Sequence, residues 1–559
     1  MKNMEKYDAS KEINKLLVSE KSSDEVEKES REILSRKLYD YKIAELKNEL
    51  IFYGSRDPSM DIETIDRVTD NDELESNFDK FKENISKEDK LDFVQYLAKE
   101  FPKASFYLVG GMVRDGFLGK KSKDIDIVIQ GINPQQLEEF LKKYGKVDLV
   151  GKNFGVYKFW KTKVAQDKNI TDAFNVQQEV DIALPRKEKS TGSGKRSDFE
   201  VIPDHSLDIQ EDLSRRDLTI NAMAYNLLTG ELIDPFEGKK DLLEGKIRCV
   251  GNAEERFRED YSRMLRAIRF AVKLGFSFDK ETYASICKNS QKIVEKDKNN
   301  SQIVPWETIG EELKKSFCID ASRTLELLDK SSLLKHVLPE IEELKKYQQP
   351  KKYHPVGDVF THTRLALKSL PADSSLTLIF ATLFHDIGKS KTQKIDNTGK
   401  ITFYEHAQEG AILAKNVCER LRFTKLSTEK IALLVRKHMQ MHQIEKMSIS
   451  KIYKLFMEEL PREILRLGIA DISGCLSKEL DSIEFSKNKI TEFITKKEES
   501  KPLIMGKDLI KLGLKQGKIF GIILEKLFEI QLIRKIVDKN QMMEIAREII
   551  KNEFVLSNN

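Results

Sequence analysis

Residues 107–129 read YLVGGMVRDGFLGKKSKDIDIVI, two apolar runs joined by a paired glycine and a basic turn. Side chains two positions apart in a strand project to the same face, so the pattern predicts that Asp124 and Asp126 point together. Two carboxylates on one face predict a Mg²⁺ site, because this ion prefers oxygen ligands and leaves positions open for phosphate oxygens. A surface hairpin with two solvated acids is the alternative for such a pair alone.

Gly110 and Gly111 lie between the two runs. Glycines let backbone N–H groups approach a triphosphate without an intervening side chain, so both are candidate nucleotide-binding residues. Arg114 follows closely and can add charge-assisted hydrogen bonds to phosphate. The glycine pair, the Arg-Asp pair and the spaced acids together favour catalysis over a surface hairpin.

Further sequence stretches carry a resemblance to a known family. They are SRRDLTINAMAY at 214–225, IDPFEGKKDLLEGKIRCVG at 233–251, RFREDYSRMLRAIRFAVKLGF at 256–276 and PLIMGKDLIKLGLKQGKIFGIILEKL within 502–531. With the first stretch, they make the chain resemble the class II tRNA nucleotidyltransferases (CCA-adding enzymes) and the related bacterial poly(A) polymerases. The motifs occur in the family's order, and the resemblance extends over most of the chain after residue 100.

The resemblance implies that Asp124 and Asp126 bind catalytic Mg²⁺. Asp181, in the strand-like run QEVDIALPR, is the candidate third carboxylate. Three acids can hold two Mg²⁺ ions, one activating the attacking 3′-hydroxyl and one stabilising the leaving pyrophosphate. A functionless exposed strand aspartate is the alternative for Asp181.

The stretch at 214–225 supplies more nucleotide-binding candidates. Residues 215–217 are expected to open a helix that carries Asn221. The resemblance implies a nucleotide contact for Arg216, and Asp217 can bind ribose or cap the helix. We therefore expect Arg216, Asp217 and Asn221 to bind the nucleotide.

The stretch at 256–276 resembles the base-selecting helix of the family. Asp260 and Arg263 are three positions apart and would share a helical face. A carboxylate only accepts hydrogen bonds and a guanidinium only donates them, so the pair can match C and A while leaving groups unpaired with G or U. Arg266 and Arg269 extend the stripe toward phosphate or the RNA end. Tyr261 departs from the family pattern, in which a small residue or Pro is more usual.

A second functional unit carries the order H…HD…D, and its candidate metal ligands are His362, His385, Asp386 and Asp471. The order resembles the HD phosphohydrolase domain of some CCA-adding enzymes. Imidazole and carboxylate ligands suit Mn²⁺, Ni²⁺, Co²⁺, Zn²⁺ or Mg²⁺, and such a metal would polarise water for phosphoester hydrolysis.

Three further side chains in this unit are candidates for supporting roles. His406 and His438 are possible ligands of a second metal or of substrate, and Lys389 could contact phosphate. The alternative for any single histidine is an ordinary core or surface residue.

Composition limits the class of protein. At 559 residues with a net charge of +4, the chain is too long for one core, and its bulk charge does not indicate nucleic-acid binding. The five scattered cysteines argue against a disulfide framework or zinc finger and for a reducing, cytoplasmic compartment. The sequence shows neither a membrane-spanning apolar run nor a secretory leader, so no membrane partner is expected.

The expected fold class is α+β, with a small α/β nucleotidyltransferase palm followed by helical regions. The expected division is a charged extension (1–95), the palm or head (96–228), a helical neck (229–340), an HD domain (341–475) and a helical tail (476–559). Residues 25–52 are predicted to form a helix, 54–79 a linker and 187–197 a mobile loop, with mostly helix after 213. The tail lysines Lys507, Lys511, Lys515 and Lys518 are predicted to meet the tRNA backbone.

The leading interpretation is template-independent addition of C, C and A to the tRNA 3′ end from CTP and ATP. A poly(A) polymerase is the first alternative. The others are a metal-dependent phosphohydrolase whose head only binds RNA and an inactive RNA-binding scaffold. The intact pair Asp124 and Asp126, with Arg263, argues against the last two.

Overall fold

The structure of the chain is a computed structural model that describes residues 70–122, 124–150, 156–161, 179–190, 193–195, 199–349, 357–440, 461–474, 502–514, 523–524, 526–528, 530–531, 534 and 536–551. The predicted helix at 25–52, most of the predicted linker, and Lys515 and Lys518 lie outside the described residues. Within those residues, no helix is both long enough and apolar enough to cross a membrane.

The head is built on β-strands, as the sequence predicts. Its strands are β1 Ser105–Val109, β2 Asp126–Gln130, β3 Gly145–Val150, β4 Val156–Lys161, β5 Glu179–Ala183, β6 Arg186–Ser190, β7 Phe199–Pro203, β8 Ala224–Asn226 and β9 Leu232–Ile233. A seven-stranded sheet has the order β3-β4-β5-β2-β1-β8-β9, and β6 pairs with β7 separately. In the large sheet, β2 pairs with β5 in parallel and with β1 in antiparallel fashion.

Helices pack around this sheet, and they are α1 Asn71–Ser86, α2 Phe93–Glu100, α3 Gly111–Phe117, α4 Pro134–Tyr144 and α5 Ile209–Ser214. Neighbouring residues in the sequence fix the start of α4. The Asn133 side chain accepts a hydrogen bond from Gln135 N, and a proline stands in the first turn.

The structure differs from expectation at α1. Residues 71–79 were predicted to be linker because charged residues dominate them. Asp70 instead caps a helix, and Leu74, Phe78 and Ile85 are buried on one of its faces. A sparse apolar stripe suffices because it packs against the head.

Two other expectations were wrong in the head. Residues 186–190 form β6, although 187–197 were predicted to be a mobile loop. Residues 224–226 and 232–233 form strands inside a stretch predicted to be almost wholly helical. These strands are too short to show a period of their own, and the pairing of β8 with β1 and of β9 with β8 decides their conformation.

The neck that follows is mainly helical. Its elements are α6 Gly238–Leu243, β10 Lys246–Ile247, α7 Ala253–Glu259, α8 Ser262–Leu274, β11 Ser277–Phe278, α9 Lys280–Asn289, α10 Trp306–Ile319, α11 Ala321–Lys330, α12 Leu334–Val337 and α13 Pro339–Glu342. The helix α8 buries Met264, Leu265 and Ile268, and it ends at Gly275, whose φ of 77° suits glycine.

The HD region consists of helices with one small hairpin. Its elements are α14 Val359–Lys368, α15 Leu376–Phe384, α16 Lys389–Thr392, β12 Lys394–Ile395, β13 Ile401–Thr402, α17 His406–Arg420, α18 Lys425–Lys437 and α19 Pro461–Gly474. The head, neck and HD region share a continuous apolar core.

The described part of the tail has its own small core. Its helices are α20 Gly506–Lys511 and α21 Lys539–Ile549. Ile504, Leu509 and Leu527 are buried there, while Lys507 and Lys511 are exposed.

Candidate active sites

The candidate transferase site lies at the start of β2. Asp126 is the first residue of this strand and pairs in register with Asp181 on β5. Asp124 is exposed and precedes the strand, so the expectation that both acids lie inside it was wrong for Asp124. The buried residues Ile125 and Ile127 alternate with the acids, which keeps the carboxylates away from the core.

The three carboxylates interact through their charges, because Asp181 and Asp124 both act on Asp126. Burial, followed by the charge of Asp181, raises the pKa of Asp126. Burial also raises the pKa of Asp181, whose Oδ1 is buried without a hydrogen-bond partner. Clustered carboxylates with an unused oxygen are suitable ligands for Mg²⁺.

Lys158 is a charged neighbour that the sequence analysis missed. It lies on β4 directly across from Asp181, and its Nζ is 3.7 Å from Asp181 Oδ1. Its position between the buried residues Tyr157 and Phe159 is a signal that could have placed it on the outer face.

Gly110 makes room for a guanidinium. Its φ is 69°, and a Cβ on it would lie 2.7 Å from Arg216 Nη1. Burial lowers the pKa of Arg216, and its Nε is buried without a hydrogen-bond partner. This unused donor beside Asp126 is available to a phosphate oxygen.

Arg114 differs from the sequence-based expectation. It is only 3% exposed, and its Nη1 donates to Asn221 Oδ1 at 2.5 Å while Nε and Nη2 donate to Asp115 Oδ1. Internal acceptors thus take three of its N–H groups, and the phosphate contact stays a prediction. Asn221 lies in the short 3₁₀ turn Thr219–Asn221, and its Nδ2 donates to Asp217 Oδ1 at 3.3 Å.

The predicted helix at residues 215–217 is also absent. The helix α5 ends at Ser214, and residues 215–218 connect it to the 3₁₀ turn. Asp217 Oδ1 accepts from Leu218 N at 2.9 Å. Although burial opposes ionisation, Arg266 and Asn221 hold the pKa of Asp217 below its usual value. Asp217 is thus a buried anion that joins head and neck.

The predicted shared helical face of Asp260 and Arg263 was wrong. Asp260 has extended backbone between α7 and α8, and its Oδ1 accepts from Ser262 N at 2.9 Å and Ser262 Oγ at 2.6 Å. Only Arg263 lies in α8. Capping by a short acid at the helix start accounts for this placement.

The three arginine side chains along α8 donate hydrogen bonds to acidic side chains of the protein. Arg263 Nη1 donates to Glu259 Oε2 at 2.6 Å, Arg266 Nε to Asp217 Oδ2 at 2.9 Å, and Arg269 Nε to Glu312 Oε2 at 2.7 Å. Asp217 and Glu312 thus supply acceptors for two partly exposed guanidinium groups. The extension of Arg266 and Arg269 toward phosphate or RNA stays a prediction.

Glu312 was not identified from the sequence. It is 8% exposed on α10 and lies on the same stripe as the buried residues Ile309 and Leu313. An acid on an apolar helical stripe is a signal for a buried ion pair.

Tyr261, the departure from the family pattern, contacts the segment predicted to be mobile. Its backbone N donates to Gly194 O at 3.3 Å, and a Cβ on Gly194 would lie 2.3 Å from its ring. Nearby, Lys195 forms an ion pair with Asp297 of the neck.

The second candidate site lies in the HD region, where the four predicted ligands meet. His362 Nε2 is 3.1 Å from His385 Nε2, 3.0 Å from Asp471 Oδ1 and 3.5 Å from Asp386 Oδ2. All four side chains are almost fully buried. Residues from two helices, α14 and α19, and from the turn after α15 thus form one ligand set.

Asp386 also joins a second set. Its Oδ1 lies 3.5 Å from His406 Nε2 and 3.9 Å from His438 Nε2, and these two nitrogens are 3.2 Å apart. The groups His362–His385–Asp386 and Asp386–His406–His438 can each hold a metal ion. One carboxylate therefore lies between two possible metal positions.

Backbone carbonyls orient the imidazoles. Nδ1 of His385, His406 and His438 lies 2.7, 2.8 and 2.7 Å from the carbonyl oxygens of Thr382, Phe403 and Val435. These contacts put the proton on Nδ1 and leave Nε2 as a lone-pair donor facing inward. Opposed Nε2 lone pairs repel each other unless a cation lies between them, so the arrangement fits divalent metals.

The electrostatics of this site agree with that fit. Against the effect of burial, Asp386 and Asp471 raise the pKa of His385 to about 9, so the first group attracts a positive charge. Burial lowers the pKa of His438 to about 3, which keeps its nitrogen available. Lys389 Nζ donates to Asp386 Oδ2 at 2.7 Å and to Gln349 Oε1 at 2.6 Å, so its ammonium is held at the carboxylate.

Family models match three successive parts of the chain. Residues 106–248 match the poly A polymerase head domain, 275–345 the probable RNA and SrmB-binding site of polymerase A, and 353–473 the HD domain. The helix α1 precedes all three matches.

The alignments with curated relatives cover most of the length of each relative. The multifunctional CCA protein of Nitrosococcus oceani is 35% identical over 353 residues, 62% of this chain and 78% of that protein. The multifunctional CCA protein of Shewanella denitrificans is 33% identical over 381 residues, 66% of this chain and 84% of that protein.

Solved structures show the same fold. The Thermotoga maritima CCA-adding enzyme complexed with tRNA is 22% identical with a TM-score of 0.53, covering 81% of this chain and 93% of that one. The Bacillus stearothermophilus CCA-adding enzyme in complex with CTP is 19% identical with a TM-score of 0.53, covering 83% and 100%.

Proposed function

The chain belongs to the multifunctional CCA protein family, and from this premise we propose that it adds C, C and A to the 3′ end of tRNA from CTP and ATP. The observation that supports the chemistry is the in-register pair Asp126 and Asp181 beside the unused donor of Arg216. The names of the relatives favour CCA addition over poly(A) synthesis. A tRNA substrate also agrees with the cytoplasmic location predicted from the cysteines.

In this proposal, Asp124, Asp126 and Asp181 hold Mg²⁺. The bound metal would activate the tRNA 3′-hydroxyl and stabilise the leaving pyrophosphate. Arg216, whose Nη1 lies beside Gly110, binds the triphosphate. Because these groups are positioned before substrate arrives, little reorganisation is needed during the transfer.

The remaining nucleotide-binding candidates divide into two roles. Asp260 and Arg263 are proposed to read the base from either side of the start of α8. Arg114, Asn221, Asp217, Arg266 and Arg269 act mainly by positioning, because the structure pairs their side chains with one another or with neighbouring acids. Gly111 begins α3 beside the proposed triphosphate position.

A direct assay tests this function. Purified protein is given three tRNA substrates, which lack the terminal CCA, end in its first C, or end in both C residues. Each nucleoside triphosphate is supplied separately. We expect C to be added to the first two substrates and A to the third, in single-nucleotide steps. Long A tracts on the third substrate would instead indicate a poly(A) polymerase.

The HD region supports a second proposed activity, hydrolysis of a phosphoester. The supporting observation is that Asp386 lies between two ligand sets. We propose two divalent ions, such as Mn²⁺, Ni²⁺ or Mg²⁺, held by His362, His385, Asp471, His406 and His438 with Asp386 shared. The metal would polarise the attacking water.

Metal content and hydrolysis provide the test of the second activity. The metal-free protein is reloaded with each ion and supplied with a phosphomonoester and a 2′,3′-cyclic phosphodiester. We expect hydrolysis with at least one ion and metal binding that depends on Asp386. Absence of both would reject the activity without affecting the transferase assay.

A further inference from the structure

The helix α1 covers α3, which lies between the glycine pair Gly110–Gly111 and Asp124 of the candidate transferase site. The family match begins at residue 106, whereas α1 spans Asn71–Ser86. It packs against α3, which begins at Gly111 beside the glycine turn. After α3, the chain turns at Gly119 and reaches Asp124 five residues later.

The contacts between the helices are close and specific. Phe78 is 3% exposed and stacks on Phe117, with 3.9 Å between ring centroids and 6° between planes. Phe81 occupies the space beside Gly116, where a Cβ would lie 2.7 Å from its Cγ. The Asn77 side chain would lie 3.1 Å from a Cβ on Gly119.

Further contacts fix α1 on other sides. Phe78 and Phe81 make edge contacts with Tyr225 of β8, at 5.8 and 5.9 Å between centroids. Glu75 forms an ion pair with Lys239 of α6. The helix is therefore anchored to the sheet and the neck as well as to α3.

We propose that α1 is part of the catalytic head, with Phe78 and Phe81 as positioning residues for the segment from Gly110 to Asp124. This inference rests on the proposed transferase function. Aromatic packing at the end of α3 sets the direction in which the chain turns toward Asp124, and it holds Gly110 and Gly111 at the other end. A displacement of about 1 Å at such a site can reduce a rate by about a hundredfold.

Point variants of the full chain test the role. Phe81→Ala is expected to lower kcat for C addition by about tenfold to a hundredfold and to raise the Mg²⁺ concentration needed for half the maximal rate. The KM for tRNA should stay within about twofold, whereas the KM for CTP should rise, because the segment held by α1 includes the proposed triphosphate-binding residues Gly110 and Gly111. Phe81→Leu should restore most of the rate, and the exposed residue Lys80 provides the control, Lys80→Ala.

The contact with Gly116 permits a double-mutant cycle. Gly116→Ala should lower kcat, although alanine favours helix, because its Cβ meets the Phe81 ring. In the double variant Phe81→Ala/Gly116→Ala the space beside residue 116 is free, so Gly116→Ala should no longer lower kcat. The effects of the two substitutions on kcat should therefore be non-additive by at least about threefold.

The possible outcomes are distinct. An inactive wild-type protein would reject the transferase function itself. Folded variants with wild-type kcat and Mg²⁺ dependence, and only a lower melting temperature, would overturn the positioning role. Additive effects in the cycle would do the same. If Phe81→Ala does not fold, the comparison of Phe81→Leu/Gly116→Ala with its single variants decides the question.

Discussion

The transferase site and the HD centre of this chain show two ways of placing carboxylates for metal binding. In the head, Asp124 is exposed and the Asp181 side chain is 38% exposed, whereas in the HD region Asp386 is 2% exposed and His385 is fully buried. The head site lies at an open sheet surface that a large RNA can approach. The HD site is enclosed by helices, and its buried Asp386 is paired with the Lys389 ammonium.

This contrast predicts different consequences when ligands are removed. Loss of an exposed carboxylate should abolish chemistry without disturbing the fold. Loss of a buried ligand should alter metal content and the packing around it. The experiments below test that difference, beginning with the largest expected effect.

Asp126→Ala should reduce nucleotide addition by at least about a thousandfold, because a metal-bound carboxylate supports several kcal/mol of transition-state stabilisation. Asp124→Ala should have a similar effect. Single-turnover rates and tRNA gel-shift assays measure the outcome, with tRNA affinity and the melting temperature expected to stay near wild type. A variant that keeps a rate within about tenfold of wild type would contradict the metal role.

Asp386→Asn should remove phosphoester hydrolysis, by about a hundredfold or more, while CCA addition continues. His406→Ala should instead lower the bound metal from two ions to one per chain, since only one ligand set contains it. Metal analysis after dialysis distinguishes the two variants. Loss of CCA addition in folded Asp386→Asn would show that the HD centre supports the whole protein.

Substitution of Asp260 or Arg263 should change nucleotide selectivity, by a smaller factor than the rate losses expected above. An unpaired polar group in a base-reading site costs about 1–3 kcal/mol, so Arg263→Ala should lose about tenfold to a hundredfold of its discrimination against UTP and GTP. Asp260→Asn keeps an acceptor for Ser262 and separates capping from base reading. An equal loss of rate with all four nucleotides would assign both residues to positioning.

The smallest effect is expected in the tail. The paired variant Lys507→Ala/Lys511→Ala should weaken tRNA binding a few-fold and lower the salt slope of the affinity by about 0.7 to 0.9 per lost phosphate contact. Titrations at several salt concentrations measure it, with Lys80→Ala as the charge control on the head. An unchanged slope would place the RNA contacts elsewhere.

Much of the head and the meeting of the four candidate HD ligands could be predicted because their signals are local. Alternating apolar residues identified β2. The order of His362, His385, Asp386 and Asp471 predicted that these side chains meet, and the structure brings them together. The supporting histidines His406 and His438 were also identified, although their sharing of Asp386 was not.

Other features could not be predicted because they depend on distant partners. Arg114 and Arg266 have the pattern of phosphate-binding arginines, yet Asn221 and Asp217 take their donors. Asp260 has the spacing of a helical residue, but its hydrogen bonds to Ser262 end one helix and begin another. Residues 71–79 have the composition of a linker and become a helix by packing on the head.

The sequence by itself determined the class of chemistry, because metal binding depends on residue type and short spacing, as in Asp124–Ile125–Asp126. Only the tertiary structure decided which charged side chains remain open to substrate. A guanidinium or carboxylate is used internally wherever folding brings a buried partner within hydrogen-bonding distance, and that proximity arises between residues far apart in the chain, such as Asp217 and Arg266. For the same reason, the role of α1 depends on the packing of Phe81 against Gly116, which no local pattern contains.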